Sequence, residues 1–194
     1  MSKAPPKVRK IAVLGARSVG KSSLIIQFVD STFSESYYPT IANTFTKIIK
    51  HKGQEYAAEI IDTAGQDEYS ILNSVHTIGT HGYVLVYSIA SKSSFDMCGV
   101  IRDKILNDTG MDWVPIVLVG NKADLGQAGQ RVVTEEEGKT IAAKWGAFFV
   151  ETSAKVGTNV TRIFELMLAQ IEKPNGDEAP ATAASAQNDN CRLL

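Results

Sequence analysis

Apolar positions fall along the chain in short runs rich in β-branched residues: "KIAVLG", "AEIIDTAG", "GYVLVYSI", "PIVLVGN" and "AFFVETSA". Each run is bounded by Gly, Pro or polar residues, and nearly all lead into a segment whose apolar spacing suits a helix. That is the rhythm of a mostly parallel sheet wrapped by helices. The stretch "TFTKIIKHKGQEYAAEIID" differs, because two strand-like runs meet at Lys52-Gly53 and predict an antiparallel hairpin on the sheet edge. The whole pattern predicts an α/β fold: a six-stranded, mostly parallel sheet with one edge hairpin and five flanking helices, at 21–30, 69–76, 92–108, 134–145 and 158–173. Thr134 with Glu137 supplies a capping-box start for the fourth helix.

The periodic region runs over 10–173, preceded by a short arm at 1–9 and followed by 174–194. The arm is basic and proline-containing but lacks the apolar region of a signal peptide. The tail, "PNGDEAPATAASAQNDN" and then "CRLL", is small and polar, has little to bury and is expected to be a flexible tether. With 194 residues, close to half of them apolar, the chain suits one domain with a full core. Its formal net charge of -1 gives no one-sided basic field, which argues against nucleic acid as a partner. Only two cysteines, Cys98 and Cys191, argue against a disulfide framework and for a reducing, cytoplasmic setting. No apolar run approaches the ~20 residues that cross a bilayer.

Chemistry enters at "GARSVGKS", Gly15 to Ser22, which matches G-x-x-x-x-G-K-[ST] between a strand and a helix. Backbone N–H groups of such a loop and the following helix N-terminus hold anionic phosphates; Lys21 adds a point charge near the β and γ groups, and Ser22 offers a hydroxyl to Mg²⁺. The base is chosen later, by "GNKAD". The Asp124 carboxylate can accept hydrogen bonds from the N1–H and amine edge of guanine, whereas adenine presents an acceptor there. The "TSAK" segment, Thr152 to Lys155, can close over the base oxygen. "DTAGQ" ends another strand on the same edge: Asp62 can hold Mg²⁺ through water, Gly65 N–H can meet a γ-phosphate, and Gln66 can orient an attacking water. Between these boxes, Thr40 can reach Mg²⁺ and Phe33 can pack on the base, although Phe33 alone would suit a core equally well. A P-loop kinase of small molecules would carry an acceptor lid and neither "NKAD" nor "TSAK".

In order, "GARSVGKS", "YYPTIANTF", "DTAGQDEYS", "GNKAD" and "TSAK" resemble the sequence boxes of Ras-superfamily small GTPases, over about Lys10 to Glu172. Within it, "ARSVGKSSL", "PTIANTFTK" and "DTAGQDEYSI" most resemble the Rheb branch. The resemblance implies Mg²⁺-dependent binding of GTP and GDP, slow hydrolysis, and two switch segments at about 35–45 and 65–80. It implies catalytic roles for Lys21, Thr40 and Gln66, and Mg²⁺ ligation by Ser22, Thr40 and, through water, Asp62. The nucleotide contacts it implies are Gly15, Arg17, Ser18, Val19, Gly20, Lys21, Ser22, Ser23, Phe33, Ser34, Tyr37, Thr40, Gly65, Asn121, Lys122, Asp124, Ser153, Ala154 and Lys155. The implied partners are the target-of-rapamycin kinase complex as effector and a tuberin-like GTPase-activating protein, engaged by a monomer. Tyr38 stands where the superfamily usually has aspartate, and Ala42 where the Rheb branch has glutamate.

Arg17 occupies a position where Ras-type proteins usually have glycine, leaving space beside the γ-phosphate for water and an activating protein. Three readings stand open for it: a bulk that hinders the positioning of water, a built-in arginine finger, or a solvated surface cation. In Rheb-like proteins the tyrosine matching Tyr37 covers the γ-phosphate and slows hydrolysis further. The final "CRLL" fits a C-a-a-X prenylation motif, with Cys191 as the modified thiol and Leu194 favouring geranylgeranyl. The tail has no polybasic run, so attachment to the cytosolic face of endomembranes or of the plasma membrane is expected to be reversible.

Overall fold

The computed structural model describes residues 5–34, 43–65 and 79–173. Six strands, β1 (Lys7–Gly15), β2 (Asn43–His51), β3 (Gln54–Asp62), β4 (Gly82–Ser88), β5 (Ile116–Asn121) and β6 (Phe148–Glu151), form one sheet in the order β2-β3-β1-β4-β5-β6. Only β2 and β3 pair antiparallel; the other neighbours are parallel. Lys52 and Gly53 both have positive φ, 48° and 79°, the geometry that a two-residue hairpin turn requires. The expected hairpin and its turn are both present.

Five helices flank the sheet among the described residues: α1 (Lys21–Asp30), α2 (Lys92–Thr109), α3 (Asp124–Gln127), α4 (Glu135–Lys144) and α5 (Val160–Ile171). Four coincide with sequence expectations to within a residue or two. The helix expected at 69–76 lies outside the described residues, and the short α3 was not expected, because a single turn has no apolar period to read. Thr134 and Glu137 form the capping box, with the Glu137 N–H donating to Thr134 Oγ1 at 3.2 Å and the Thr134 N–H to Glu137 Oε2 at 2.8 Å.

Alternation along β1 divides the interior. Ile11 and Val13 face a core shared with α1 and α5, whereas Ala12 and Leu14 face one shared with α2 and α4. The central strands β4 and β5 are buried throughout, as strands covered on both faces must be. Phe28 of α1 stacks on Phe164 of α5 with centroids 4.0 Å apart. The Lys47 ammonium donates to the Phe28 carbonyl and, at 3.2 Å, to the Val29 carbonyl, satisfying acceptors at the end of α1 and fixing that helix to β2.

At the pole where β1 and β3 begin, Glu172 closes α5. It accepts from Arg9 Nε at 2.7 Å and from the Tyr56 hydroxyl at 3.0 Å, while the Arg9 guanidinium lies 5.6 Å from the Tyr56 ring centroid. Burial pushes the Glu172 carboxyl up, but the hydrogen bonds from Arg9 and Tyr56 and the Arg9 charge outweigh it, leaving the group below its ordinary 4.5. A carboxylate depressed on folding adds stability that is complete above the unfolded pKa and is lost as pH falls through the folded one. Glu172→Gln should therefore destabilise the GDP-bound protein by about 1–2 kcal/mol at neutral pH. The gap between wild type and variant should narrow below about pH 4, as measured by urea unfolding.

Candidate functional site

The loops that carry the motifs follow the C-terminal ends of β1, β3, β5 and β6, the side of a parallel sheet where ligands bind. Their convergence follows from strand order, since β1 stands between β3 and β4 at the centre of the sheet.

The first loop is framed by glycines that nothing else could replace. At Gly15, φ is 150° and a Cβ would lie 2.1 Å from the Val86 carbonyl oxygen of β4. At Gly20, φ is 96° and a Cβ would lie 2.5 Å from Asn121 Nδ2. Ser18 also has positive φ, 60°, so the backbone turns tightly between the two glycines. Gly20 is the N-cap of α1 and makes no side-chain cap, so the first N–H groups of that helix remain for an anion. Lys21 is buried, with Nζ donating to the carbonyls of Gly15 at 3.0 Å and Ala16 at 2.9 Å. Burial lowers its pKa to about 8, against the opposing pull of Asp62. An ammonium held among carbonyls in a desolvated site favours an anionic ligand, which would restore its charge balance.

Asp62 ends β3 and is 3% exposed. Burial raises its pKa, partly offset by a hydrogen bond from Ser22 and the charge of Lys21. Its Oδ1 is buried and has no hydrogen-bond partner among the described residues. An orphaned carboxylate oxygen beside a hydroxyl fits a hydrated divalent cation that takes its remaining ligands from water and phosphate. The next residue, Thr63, is tied down by its hydroxyl, which donates to the Val13 carbonyl at 2.8 Å.

The base-side loops are joined by one amide. Asn121, 1% exposed, donates from Nδ2 to the Val19 carbonyl at 2.8 Å, and its Oδ1 accepts from the Thr152 hydroxyl at 3.1 Å and the Ala154 N–H at 3.3 Å. Ser153 donates to Asp124 Oδ1 at 2.5 Å and holds that carboxylate in place. Lys122, with φ 65°, turns the chain between Asn121 and Asp124, and the Ala123 N–H donates to the Thr152 carbonyl at 2.9 Å. Sequence reasoning missed the brace behind these loops. Arg131 forms a two-bond pair with Glu151, at 2.6 and 2.8 Å, and Glu151 immediately precedes the "TSAK" segment. No spacing pattern announces such a pair, because its members lie 20 residues apart and meet only when β6 lies beside β5.

Ser22 and Ser23 start α1 and are partly exposed; Phe33 and Ser34 lie on the surface, and Lys155 is exposed at the rim. Arg17 is exposed, but its stem is not remote from the site: a Cβ at Gly65 would lie 2.4 Å from Arg17 Cγ and 2.5 Å from its Cα. The phosphate loop and the loop that follows β3 thus touch through Arg17. Tyr37, Thr40 and Gln66 lie outside the described residues, as do Tyr38, Ala42 and Cys191.

Comparison with known proteins gives the same answer as the geometry. The Ras family model matches residues 10–173. The chain belongs to the Ras family of small GTPases. It is 64% identical over 177 residues to the GTP-binding protein rhb1 of Schizosaccharomyces pombe, covering 91% of this chain and 95% of that protein. It is 58% identical to the small monomeric GTPase RhbA of Aspergillus fumigatus, covering 92% of this chain and 95% of that one. With the GTP-binding protein Rheb of Homo sapiens the identity is 48%, over 97% of this chain and 98% of that one. This GTPase is thus Rheb-like, binds GTP and GDP, and hydrolyses GTP.

Removing the shared amide should uncouple the two halves of the site. Asn121→Ala deletes three hydrogen bonds and leaves the Val19 carbonyl and the Ala154 N–H without their partner. With each buried orphan costing about 1–3 kcal/mol, GDP dissociation should accelerate by ~30-fold or more, read by release of a fluorescent GDP analogue.

Proposed function

We propose that this GTPase is a slowly hydrolysing molecular switch of the Rheb type, signalling to a target-of-rapamycin kinase complex and reset by a tuberin-like activating protein. The observation that carries this reading is the joining of the phosphate loop to both base loops through Asn121, combined with an arginine on that same loop in contact with Gly65. Lys21 neutralises the β and γ phosphates, Asp124 and the Ala154 N–H read guanine, and Phe33 lies along the base. Ser22, Thr40 and Asp62, the last through water, hold Mg²⁺, which when bound offsets the charge of the phosphate oxygens. Gly65 N–H and Thr40 meet the γ-phosphate, and its loss on hydrolysis releases both switch segments. Gln66 orients the water.

The contact between the Arg17 stem and Gly65 favours hindrance over the other two readings of the arginine. A side chain wedged there restricts the space in which Gln66 and water must be placed, and placement supplies most of the rate of phosphoryl transfer. Tyr37 adds a cover over the γ-phosphate. The switch acts as a monomer, held reversibly at the cytosolic face of a membrane by a prenyl group on Cys191. Intact mass of protein from its native host tests that anchor, and an unmodified C-terminus would remove it.

Two experiments test the core of this reading. Asp124→Asn should shift preference from GTP toward XTP, because an amide offers a donor where the carboxylate accepted; a variant that still rejects XTP and binds GTP as tightly as wild type would overturn the base assignment. Arg17→Gly should raise single-turnover hydrolysis by ~2–10-fold, roughly 0.4–1.4 kcal/mol of barrier, with little change in GTP affinity. A fall of ~10³-fold would instead identify an arginine finger. If only Tyr37→Ala accelerates cleavage, the slow turnover belongs to the first switch segment.

A further inference from the structure

One guanidinium stands between the two elements that carry the base-side groups. Arg131 follows α3, the turn that begins with Asp124, and a Cβ at Gly126 of that turn would lie 3.4 Å from Arg131 Nη2 and 3.5 Å from its Nε, so the turn packs directly on the guanidinium. On the other side, Arg131 Nη1 donates to Glu151 Oε1 at 2.6 Å and Nη2 to Oε2 at 2.8 Å. Glu151 is the last residue of β6 and directly precedes Thr152, Ser153 and Ala154. Both members are themselves held. Arg131 Nη1 also donates to the Val133 carbonyl at 3.1 Å, and the N–H groups of Val132 and Val133 both donate to the carbonyl of Ile89, just beyond β4. The Glu151 carbonyl accepts from Asn159 Nδ2 at 2.9 Å. The pair is sheltered, with the Glu151 side chain 14% exposed and that of Arg131 30%.

Two parallel hydrogen bonds fix orientation as well as distance, which a point charge does not. The constraint passes a short way along the chain on each side. Glu151 leads into Ser153, whose hydroxyl donates to Asp124 Oδ1 at 2.5 Å, and then into the Ala154 N–H; Gly126 lies two residues after Asp124. We infer that Arg131 is a positioning residue for base recognition: through Glu151 and the bare face of Gly126 it sets the spacing between the Asp124 carboxylate and the Ala154 N–H, and so governs whether both engage one purine ring. It acts through these groups and not by touching the base. The bond most sensitive to that spacing is the one from guanine's exocyclic amine, which the carboxylate must meet while Ala154 holds the oxygen at the other end of the same edge. Hypoxanthine keeps the oxygen and the N1–H but lacks the amine, so it reports the loss of that single bond. This rests on the proposed assignment of Asp124 and Ala154 to guanine, which Asp124→Asn tests separately.

GDP and IDP are loaded separately onto the full chain with Mg²⁺, and their dissociation rates are read by exchange against an excess of a fluorescent GDP analogue. Wild type should release IDP ~10–100-fold faster than GDP, the worth of one hydrogen bond to a charged acceptor. R131Q should speed GDP release by ~5-fold or more while IDP release changes by less than ~2-fold, because only GDP has that bond to lose. E151Q and R131Q/E151Q should compress the ratio to the same extent without addition, since all three remove one shared pair. Parallel acceleration of GDP and IDP release would mark a general loosening of the fold and overturn the positioning role, as would an unchanged ratio. R131K keeps a cation without the two-pronged fork and should behave as R131Q does; a wild-type ratio from R131K would show that charge alone suffices and would also overturn it. The same variant supplies the readout if R131Q loses its cooperative urea transition. A wild-type ratio in D124N would remove the base assignment and this role with it, whereas a collapsed ratio in D124N beside an intact one in R131Q would overturn this role alone.

Discussion

The site depends on a single buried amide. Asn121 uses its donor on the phosphate loop and its acceptor on the Thr152–Ala154 segment, so the two loops are held at fixed separation. Gly20 exists for the same reason, because any side chain there would strike Asn121 Nδ2. The amide reaches both loops because it stands at the end of β5, beside β6, which leads to Thr152–Lys155, and with only β4 separating it from β1, which leads to the phosphate loop.

Around that joint, charge is arranged to need a ligand. Lys21 is desolvated, held by two carbonyls and depressed in pKa, while Asp62 is desolvated and raised, with one oxygen unpartnered. Each group is imperfectly compensated by the protein alone. Phosphate beside the first and a hydrated cation beside the second would compensate both, which is why a nucleotide with Mg²⁺ suits this site better than either component. Arg17 adds a restriction of another kind: its stem against Gly65 couples the phosphate loop sterically to the loop that follows β3.

Strand direction gives the molecule two unlike poles. Parallel strands place every ligand-facing loop at one end, and the Arg9–Glu172–Tyr56 cluster fixes the end of α5 at the other.

By itself the sequence determined the local elements and most of the chemistry. The β-branched runs, the Lys52-Gly53 turn and the Thr134 capping box are short-range signals, written in neighbouring residues, and each became the element it announced. The glycines of the phosphate loop, Lys21, Asp62, Asn121 and Asp124 were legible because phosphate, cation and guanine each demand particular groups at fixed spacing. Only the tertiary structure decided what crosses strands. The Arg131–Glu151 brace and the contact of Arg17 with Gly65 join residues far apart in the chain, and their meeting depends on strand order and register. The four-residue α3 also escaped sequence reading, because one turn buries no periodic face and is set by the fold on either side of it.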